Sequence, residues 1–270
     1  VKFQINSDRV LRTTRKQYAA ERSDAGIAVL PLYGVITQRG NMIDNISGPG
    51  CTSTEQFSNA LRQLVTDDSV GQILIDIDSP GGSVYGVSEL ADEILQARSQ
   101  KPIIAVANSL AASAAYWIGA SASEFYVTPG GEVGSIGVWQ AHQDFSKAMD
   151  EAGIKTTLIA AGPYKVEGNP YSPLDSEAQA FMQSRVDDYY QAFTKAVAKG
   201  RNVALADVIS GMGQGRVLGA QAAKQQSMVD GIASFDQVLI NMQRQARTSM
   251  ANKTSRTPRI QRARDTVSLM

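Results

Sequence analysis

An α/β fold is predicted for this 270-residue chain by three features of its sequence. Short aliphatic runs at Ile73–Ile77, broken by Asp76, and at Ile103–Ala107 do not alternate with polar residues, as strands of a parallel sheet covered on both faces do not. Each run leads into a turn or stretch of small residues. A helix-patterned segment then follows, the clearest carrying Val84, Val87, Leu90, Ala91, Ile94 and Leu95 on one face. A chain of this length can form one large α/β domain or two small ones, and no internal period suggests a repeat array.

The elements follow in order. Residues 1–25 are polar and read as an N-terminal arm. Ile27–Leu32 and Gly34–Thr37 read as strands. Ser53-Thr54-Glu55-Gln56 has the spacing of a capping box and precedes a helix with Phe57, Leu61 and Leu64 on its apolar face. After the strands at 73–77 and 103–107, a helix is predicted over Ala111–Ala122. Further strands are predicted at Phe125–Val127, Gly137–Gln140 and Thr156–Ala160, then a long amphipathic helix from about Asp175 to Lys199. The globular domain spans residues 26–240. Residues 241–270 read as a disordered tail, because Arg244, Arg247, Lys253, Arg256, Arg259, Arg262 and Arg264 are opposed only by Asp265. Such a tail favours acidic partners, which leaves a packaging or scaffold-docking role open for it.

Composition narrows the function. Lys and Arg number 26, Asp and Glu 26, so the formal charge is zero and the whole chain has no general pull toward nucleic acid or membrane. Cys51 is the one cysteine and His142 the one histidine, which leaves no internal disulfide and no His/Cys metal site. No cofactor is expected. The N-terminal segment lacks an apolar h-region. The longest apolar stretch, Pro102–Ala122, is interrupted by Asn108, Ser109, Ser113 and Ser121, so it reads as a strand and a buried helix rather than a membrane span. The expectation is a cytoplasmic enzyme.

Three segments carry chemistry. Asp78-Ser79-Pro80-Gly81-Gly82-Ser83 follows a strand and opens into a helix, so its backbone N–H groups can be presented with no side chain in the way. A phosphate loop is the rival use, but neither Gly-x-Gly-x-x-Gly nor a Walker lysine is present; a plain turn is the bland alternative. Ser113 lies at the mouth of the small-residue helix, where unpaired N–H groups and the positive end of the helix dipole favour developing negative charge. A serine there could equally serve close packing alone. A hydroxyl nucleophile also needs a base. Lys165, between Gly162-Pro163 and Gly168-Asn169-Pro170, can serve if burial lowers its pKa from about 10.4 to about 7–8; a solvated loop lysine is the alternative.

The order SPGG, ASAAYWIGASA, GSIGV (Gly134–Val138) and then Gly-x-x-Lys resembles the signal peptide peptidase A family of Ser-Lys serine proteases. Within that family it resembles the head-maturation, or capsid assembly, proteases of tailed phages. The resemblance covers roughly residues 26–240. It implies the Clp protease/crotonase-like spiral of ββα units as a single domain. It also implies Ser113 as nucleophile, Lys165 as general base and Ser135 as the group that orients the lysine. The backbone N–H groups of Gly82 and Ala114 would form the oxyanion hole. Gly215–Ile232 resembles the family's closing motif, with Gln226-Ser227-Met228 in place of its more usual Gly-Leu ending. The implied activity is that of a serine endopeptidase acting on capsid, scaffold or portal proteins in the host cytoplasm or procapsid. The implied assembly is a homo-oligomer in which a neighbouring protomer supplies Lys165, with no specific nucleic acid and no membrane span. Three alternatives remain at this stage: a cytoplasmic signal-peptide or peptide peptidase, a non-catalytic capsid scaffold of the same fold, and a crotonase-type acyl-CoA enzyme. The last is disfavoured by the absence of suitably placed acidic residues.

Overall fold

The computed structural model describes residues 21–22, 26–40 and 51–248. It divides into two compact units: the described residues up to Ile136 together with those from Thr194 onward, and the intervening segment Gly137–Phe193.

The first unit is a nine-stranded, mainly parallel sheet with helices against it, the α/β architecture predicted. Its strands are β1 (Glu21–Arg22), β2 (Ile27–Thr37), β3 (Cys51–Ser53), β4 (Gln72–Gly82), β5 (Ile103–Ala112), β6 (Glu124–Val127), β7 (Glu132–Gly134), β8 (Val217–Gly219) and β9 (Gly231–Ile232). The main path runs β1-β2-β4-β5-β6-β9. Strand β3 pairs β2, and β7 bridges β5 and β8. Only the β1–β2 and β7–β8 pairs are antiparallel among the described residues.

The central strands read as they do because they are covered on both sides. From Gln72 to Ile77 every residue of β4 is buried, so the aliphatic run is continuous rather than alternating. One face of the sheet receives α1 (Thr54–Thr66), α2 (Val87–Ala97) and α3 (Ala114–Ala120). The predicted cap of α1 forms: Ser53 is the N-cap, and its hydroxyl accepts from the Gln56 N–H at 3.3 Å. The opposite face buries Ile27, Leu74, Ile104 and Val106 against Val238 and Met242 of α8, helical residues 235–248. Each such aliphatic side chain contributes roughly 1.5–3 kcal/mol by leaving water.

Several boundaries differ from expectation. The two predicted N-terminal strands are one strand, β2, bent at Gly34, which takes a φ of 69° where the register with β4 shifts. Strand β5 runs on to Ala112, because Ala111 pairs with Ser79 on one side and Val133 on the other. The helix after it is therefore Ala114–Ala120, shorter than the predicted 111–122. Alanine is compatible with either state, and here the sheet ladder decides. Residues 241–248, read as the start of the tail, continue α8. Val238, Met242 and Ala246 lie four apart and are all buried, so packing outweighs the basic composition. The rest of the tail, 249–270, and residues 1–20 of the arm lie outside the described residues.

The second unit contains α4 (Ser146–Glu151) and the start of α5 (Ser176–Arg201), close to the predicted 175–199 helix. Neither Gly137–Gln140 nor Thr156–Ala160 is a strand; both are unpaired backbone. Their apolar residues imitate the strand pattern but stand largely in solvent, Trp139 being 84% and Ile159 96% exposed. Across Gly137–Phe193 only Ala178 and Phe193 are buried. Two short helices, α6 (Leu205–Ser210) and α7 (Ala220–Gln225), lie between α5 and α8.

Candidate active site

Ser113 occupies the single residue between β5 and α3. Its N–H donates to the Gly134 carbonyl at 2.8 Å, and its own carbonyl accepts from Trp117 at 3.0 Å, the first turn of α3. Meeting both bonds forces φ 53° and ψ −124°, a conformation rare outside glycine. Strain of this kind costs on the order of 1–3 kcal/mol and persists only where the surroundings over-determine it. The surroundings here are α3, all seven of whose residues are buried. Its Tyr116 hydroxyl donates to the Met228 carbonyl at 3.0 Å, and burial pushes that phenol's pKa up. Gly119 allows close packing, since a Cβ there would lie 2.8 Å from the Phe125 ring. At the other end of the helix Gly200 of α5 touches the Ala120 carbonyl, where a Cβ would come within 2.2 Å.

The Gly-Gly segment abuts the serine. A Cβ on Gly81 (φ 91°) would lie 2.7 Å from the Ser113 Cβ, 2.7 Å from the Ala112 oxygen and 3.0 Å from the Ala114 nitrogen. Gly82 is a glycine for a different reason: its Cβ would be 2.1 Å from the Ile36 oxygen of β2. Ser83 N–H donates to that oxygen at 2.9 Å. Because amide direction alternates along a strand, the N–H of Gly82 turns away from β2, toward the side of β4 on which β5 lies. Ala114 opens α3, where N–H groups have no acceptor within the helix. Gly82 and Ala114 thus offer the kind of backbone donors that an oxyanion needs.

Sequence reasoning gave Ser79 no role, yet it is fully buried and shapes this segment. Its hydroxyl donates to the Gly34 carbonyl at 2.6 Å and accepts from the Gly81 N–H at 3.1 Å. Ser-Pro-Gly-Gly is common turn chemistry, and only the two strands converging on Ser79 make it specific.

Ser135 lies one peptide unit from the Gly134 carbonyl that holds Ser113. It too has a positive φ, 54°, and its N–H donates to the Arg216 carbonyl at 2.8 Å. The structure therefore brings together two half-buried serines in left-handed backbone, with Gly81 and Ala114 beside the first of them. The closing motif supports Ser135 from the other side through the β7–β8 pair. Within that motif Ser227 takes φ 58°, the left-handed geometry that a glycine adopts without strain, and Met228 is fully buried. The departure from Gly-Leu thus keeps the backbone turn and the apolar plug.

Lys165 belongs to the second unit. It sits in a turn begun by Gly162 (φ 101°), its N–H donating to the Gly162 carbonyl at 3.2 Å, and its side chain is exposed. It forms no side-chain hydrogen bond or ion pair among the described residues. His142, in the same unit, meets the Asn169 carbonyl through Nε2 at 3.0 Å, which ties down the lysine-bearing loop.

An ion pair fixes the frame behind α3. Arg201 forks onto Asp230 at 2.7 and 2.9 Å, and Asp230 accepts from the Phe125 N–H at 2.6 Å. Burial pushes the Asp230 carboxyl up, but the hydrogen bonds from Arg201 and Phe125 and the charges of Arg201 and Arg98 outweigh it, leaving the pKa below its ordinary 3.8. Arg98 donates to the carbonyls of Ser121, Ala122 and Gly200, closing the junction between α3 and α5.

Residues 96–249, which carry Ser113, Ser135 and Lys165, match the family described as peptidase family S49. The capsid assembly protease C of Escherichia phage lambda is 39% identical over 173 residues, 64% of this chain and 39% of that protein. The head-tail preconnector protein GP5 of Enterobacteria phage P21 is 38% identical over 173 residues, 64% of this chain and 34% of that protein. The putative signal peptide peptidase SppA of Enterococcus faecium is 25% identical over 251 residues, 93% of this chain and 71% of that protein. The matched region thus spans little more than a third of the two phage proteins. Among the described residues no helix is long and apolar enough to cross a membrane. The strained serine at the head of a buried helix, the glycine segment packed on it and a match covering more than half of the sequence lead to one assignment: the chain belongs to peptidase family S49.

Proposed function

We propose that the protein is a serine endopeptidase that cleaves peptide bonds through an acyl-enzyme, with Ser113 as nucleophile and Lys165 as general base. The observation that carries this is Ser113 itself: a non-glycine residue held at φ 53° with glycine backbone against its Cβ. A serine there for packing alone would not need that strain.

In the proposed cycle neutral Lys165 takes the Ser113 hydroxyl proton as Oγ attacks the scissile carbonyl carbon. The carbonyl π pair moves onto oxygen, and the N–H groups of Gly82 and Ala114 stabilise the oxyanion. Collapse of the tetrahedral intermediate breaks the C–N bond, and the ammonium of Lys165 returns its proton to the leaving amine. Water then attacks the ester, giving its proton to Lys165. Release of the acid restores the Ser113 hydroxyl with the proton held by Lys165. Ser135 orients the lysine amine.

Lys165 comes from a neighbouring copy in a homo-oligomer. The support is the segment that bears it, which buries almost nothing of its own and exposes Trp139, Phe145, Ile159 and Phe181. An apolar surface of that kind marks an interface. By the likeness to the two phage proteins, the substrates are capsid, scaffold or portal proteins, cleaved during head assembly in host cytoplasm or procapsid.

Labelling with a serine-reactive phosphonate tests the chemistry without knowledge of the substrate. Wild type should be labelled at Ser113, located by peptide mass mapping, and Ser113→Ala should not be labelled. Absence of labelling in a folded, oligomeric preparation refutes the proposal and favours a non-catalytic scaffold.

A further inference from the structure

On the sheet face opposite α3, the C-terminal ends of β2, β4 and β5 enclose a cavity of about 660 Å³. Its walls are Tyr33, Val35, Asp78, Pro80, Asn108 and Ser109. Asp78, Pro80 and Asn108 are exposed, and Tyr33 and Val35 are nearly half exposed. This is where the cover given by α8 to the other end of the face has stopped.

Beneath the cavity lies Asp76, two residues before Asp78 and on the same face of β4. It is only 6% exposed, in a strand otherwise made of aliphatic residues up to Ile77 and after Gln72. The Tyr33 hydroxyl donates to its Oδ2. The Asn108 amide is near enough to ease its charge, yet among the described residues buried Oδ1 closes no hydrogen bond of good geometry. Burial raises the Asp76 pKa, the hydrogen-bonding influence of Tyr33 and Asn108 opposes this, and the charge of Asp78 adds to the rise. A carboxyl under this load is offset by positive charge brought into the cavity, and no residue in the lining is cationic.

The chemistry of the walls selects the cation. Asp76 is buried and already bonded by Tyr33, which leaves Asp78 as the carboxylate of the lining that can meet an entering charge. An aliphatic stem with a charged head fits these walls. Val35 and Pro80 can cover the stem, the Asp78 carboxylate can pair the head, and Tyr33, anchored by its bond to Asp76, supplies an aromatic wall for a cation–π contact. Pro80 of the lining immediately precedes Gly81, which packs on the Ser113 Cβ, so the cavity adjoins the segment that abuts the serine.

We infer that this cavity is a subsite for a lysine or arginine side chain of the peptide substrate, with Asp78 and Tyr33 as its contacting residues and Asp76 as the positioning residue beneath them. The inference rests on the endopeptidase reading for the identity of its ligand.

The test is a binding measurement that does not require turnover. Fluorescein-labelled extended decapeptides carrying one central arginine, or glutamine in its place, are titrated into the Ser113→Ala protein and followed by anisotropy. The arginine peptide should bind at least about tenfold more tightly, about 1.4 kcal/mol. Asp78→Asn in the same background should reduce that preference to under about threefold; Asp78 is exposed, so folding is not at stake. Equal binding of the two peptides, or a preference that survives Asp78→Asn, overturns the inference. If phosphonate labelling fails while the arginine preference and its loss in Asp78→Asn persist, the endopeptidase reading falls and the cation subsite stands.

Discussion

Replacing Gly81 with alanine tests the geometry around Ser113 more sharply than removing the hydroxyl does. The new methyl group would lie 2.7 Å from the Ser113 Cβ and 3.0 Å from the Ala114 nitrogen, on a backbone with φ 91°. Carbon atoms are at ease at about 3.5–4.0 Å, so one wall must retreat by roughly 1 Å. Ser113 cannot retreat into α3, all of whose residues are buried, so the displacement falls on the proposed nucleophile and on the Ala114 N–H. A misplacement of about 1 Å at a reacting group costs on the order of a hundredfold in rate. The backbone penalty is about 1–2 kcal/mol and the overpacking about 1–3 kcal/mol, which a domain stable by about 5–15 kcal/mol survives. The expected result is therefore a folded Gly81→Ala protein, lower in Tm, whose phosphonate labelling rate falls roughly a hundredfold. Circular dichroism gives the fold, and the time course of labelling gives the rate. Labelling within about threefold of wild type would refute the placement of Gly81 and Ser113 in one reacting centre.

Other expectations follow from the same contacts. His142→Ala should retain cleavage activity, whereas Lys165→Ala should abolish it; equal loss in both folded variants would favour a Ser-His mechanism. Co-assembly of Ser113→Ala with Lys165→Ala after unfolding should restore roughly a quarter of the sites if neighbours share the dyad and mix at random; zero recovery in mixed oligomers, verified by native mass spectrometry, places both residues in one chain. Asp230→Ala should cost roughly 2–3 kcal/mol in denaturant unfolding, because it strands Arg201, whose side chain is only 6% exposed, while Asp230 itself remains 41% exposed and partly screened. The depressed Asp230 pKa sets the sign with pH: its contribution is complete above 3.8, is lost as pH falls through the lower folded value, and should be absent from the acid limb of Asp230→Asn. Asp76 has the opposite sign, its raised folded pKa making the carboxyl costly as pH climbs above 3.8, so Asp76→Asn should raise Tm at pH 7 and lose that gain below about pH 4.

The fold was legible where burial imposes a pattern. Ile73–Ile77 and Ile103–Ala107 are strands because both faces of the sheet are covered, and the Ser53 cap announces α1 by its own chemistry. Legibility failed where apolar residues lie outside the core. Trp139, Leu158 and Ile159 look like strand residues, yet they are exposed in the second unit. Hydrophobicity alone does not distinguish a strand packed in a sheet from an exposed apolar segment. The reverse error occurs in α8, where Arg244 and Arg247 suggest a tail while Met242 and Ala246 pack.

The candidate site divides along the same line. Side-chain chemistry pointed to Ser113, Lys165 and Ser135, but the features that set this serine apart from the others are backbone features: φ of 53° and 54° at the two serines, Gly81 without a Cβ, and Ser79 holding the Gly81 amide. None has a sequence signature stronger than a turn. Ser113 reaches its conformation because β5 pairs as far as Ala112 while α3 must begin at Ala114, leaving one residue to turn the chain. A glycine in that position would relieve the strain but carry no hydroxyl for the proposed attack. Serine tolerates the turn at a cost that the buried helix and the Gly134 bond together offset, which is what the proposed role of Ser113 would require where backbone preference alone favours another residue.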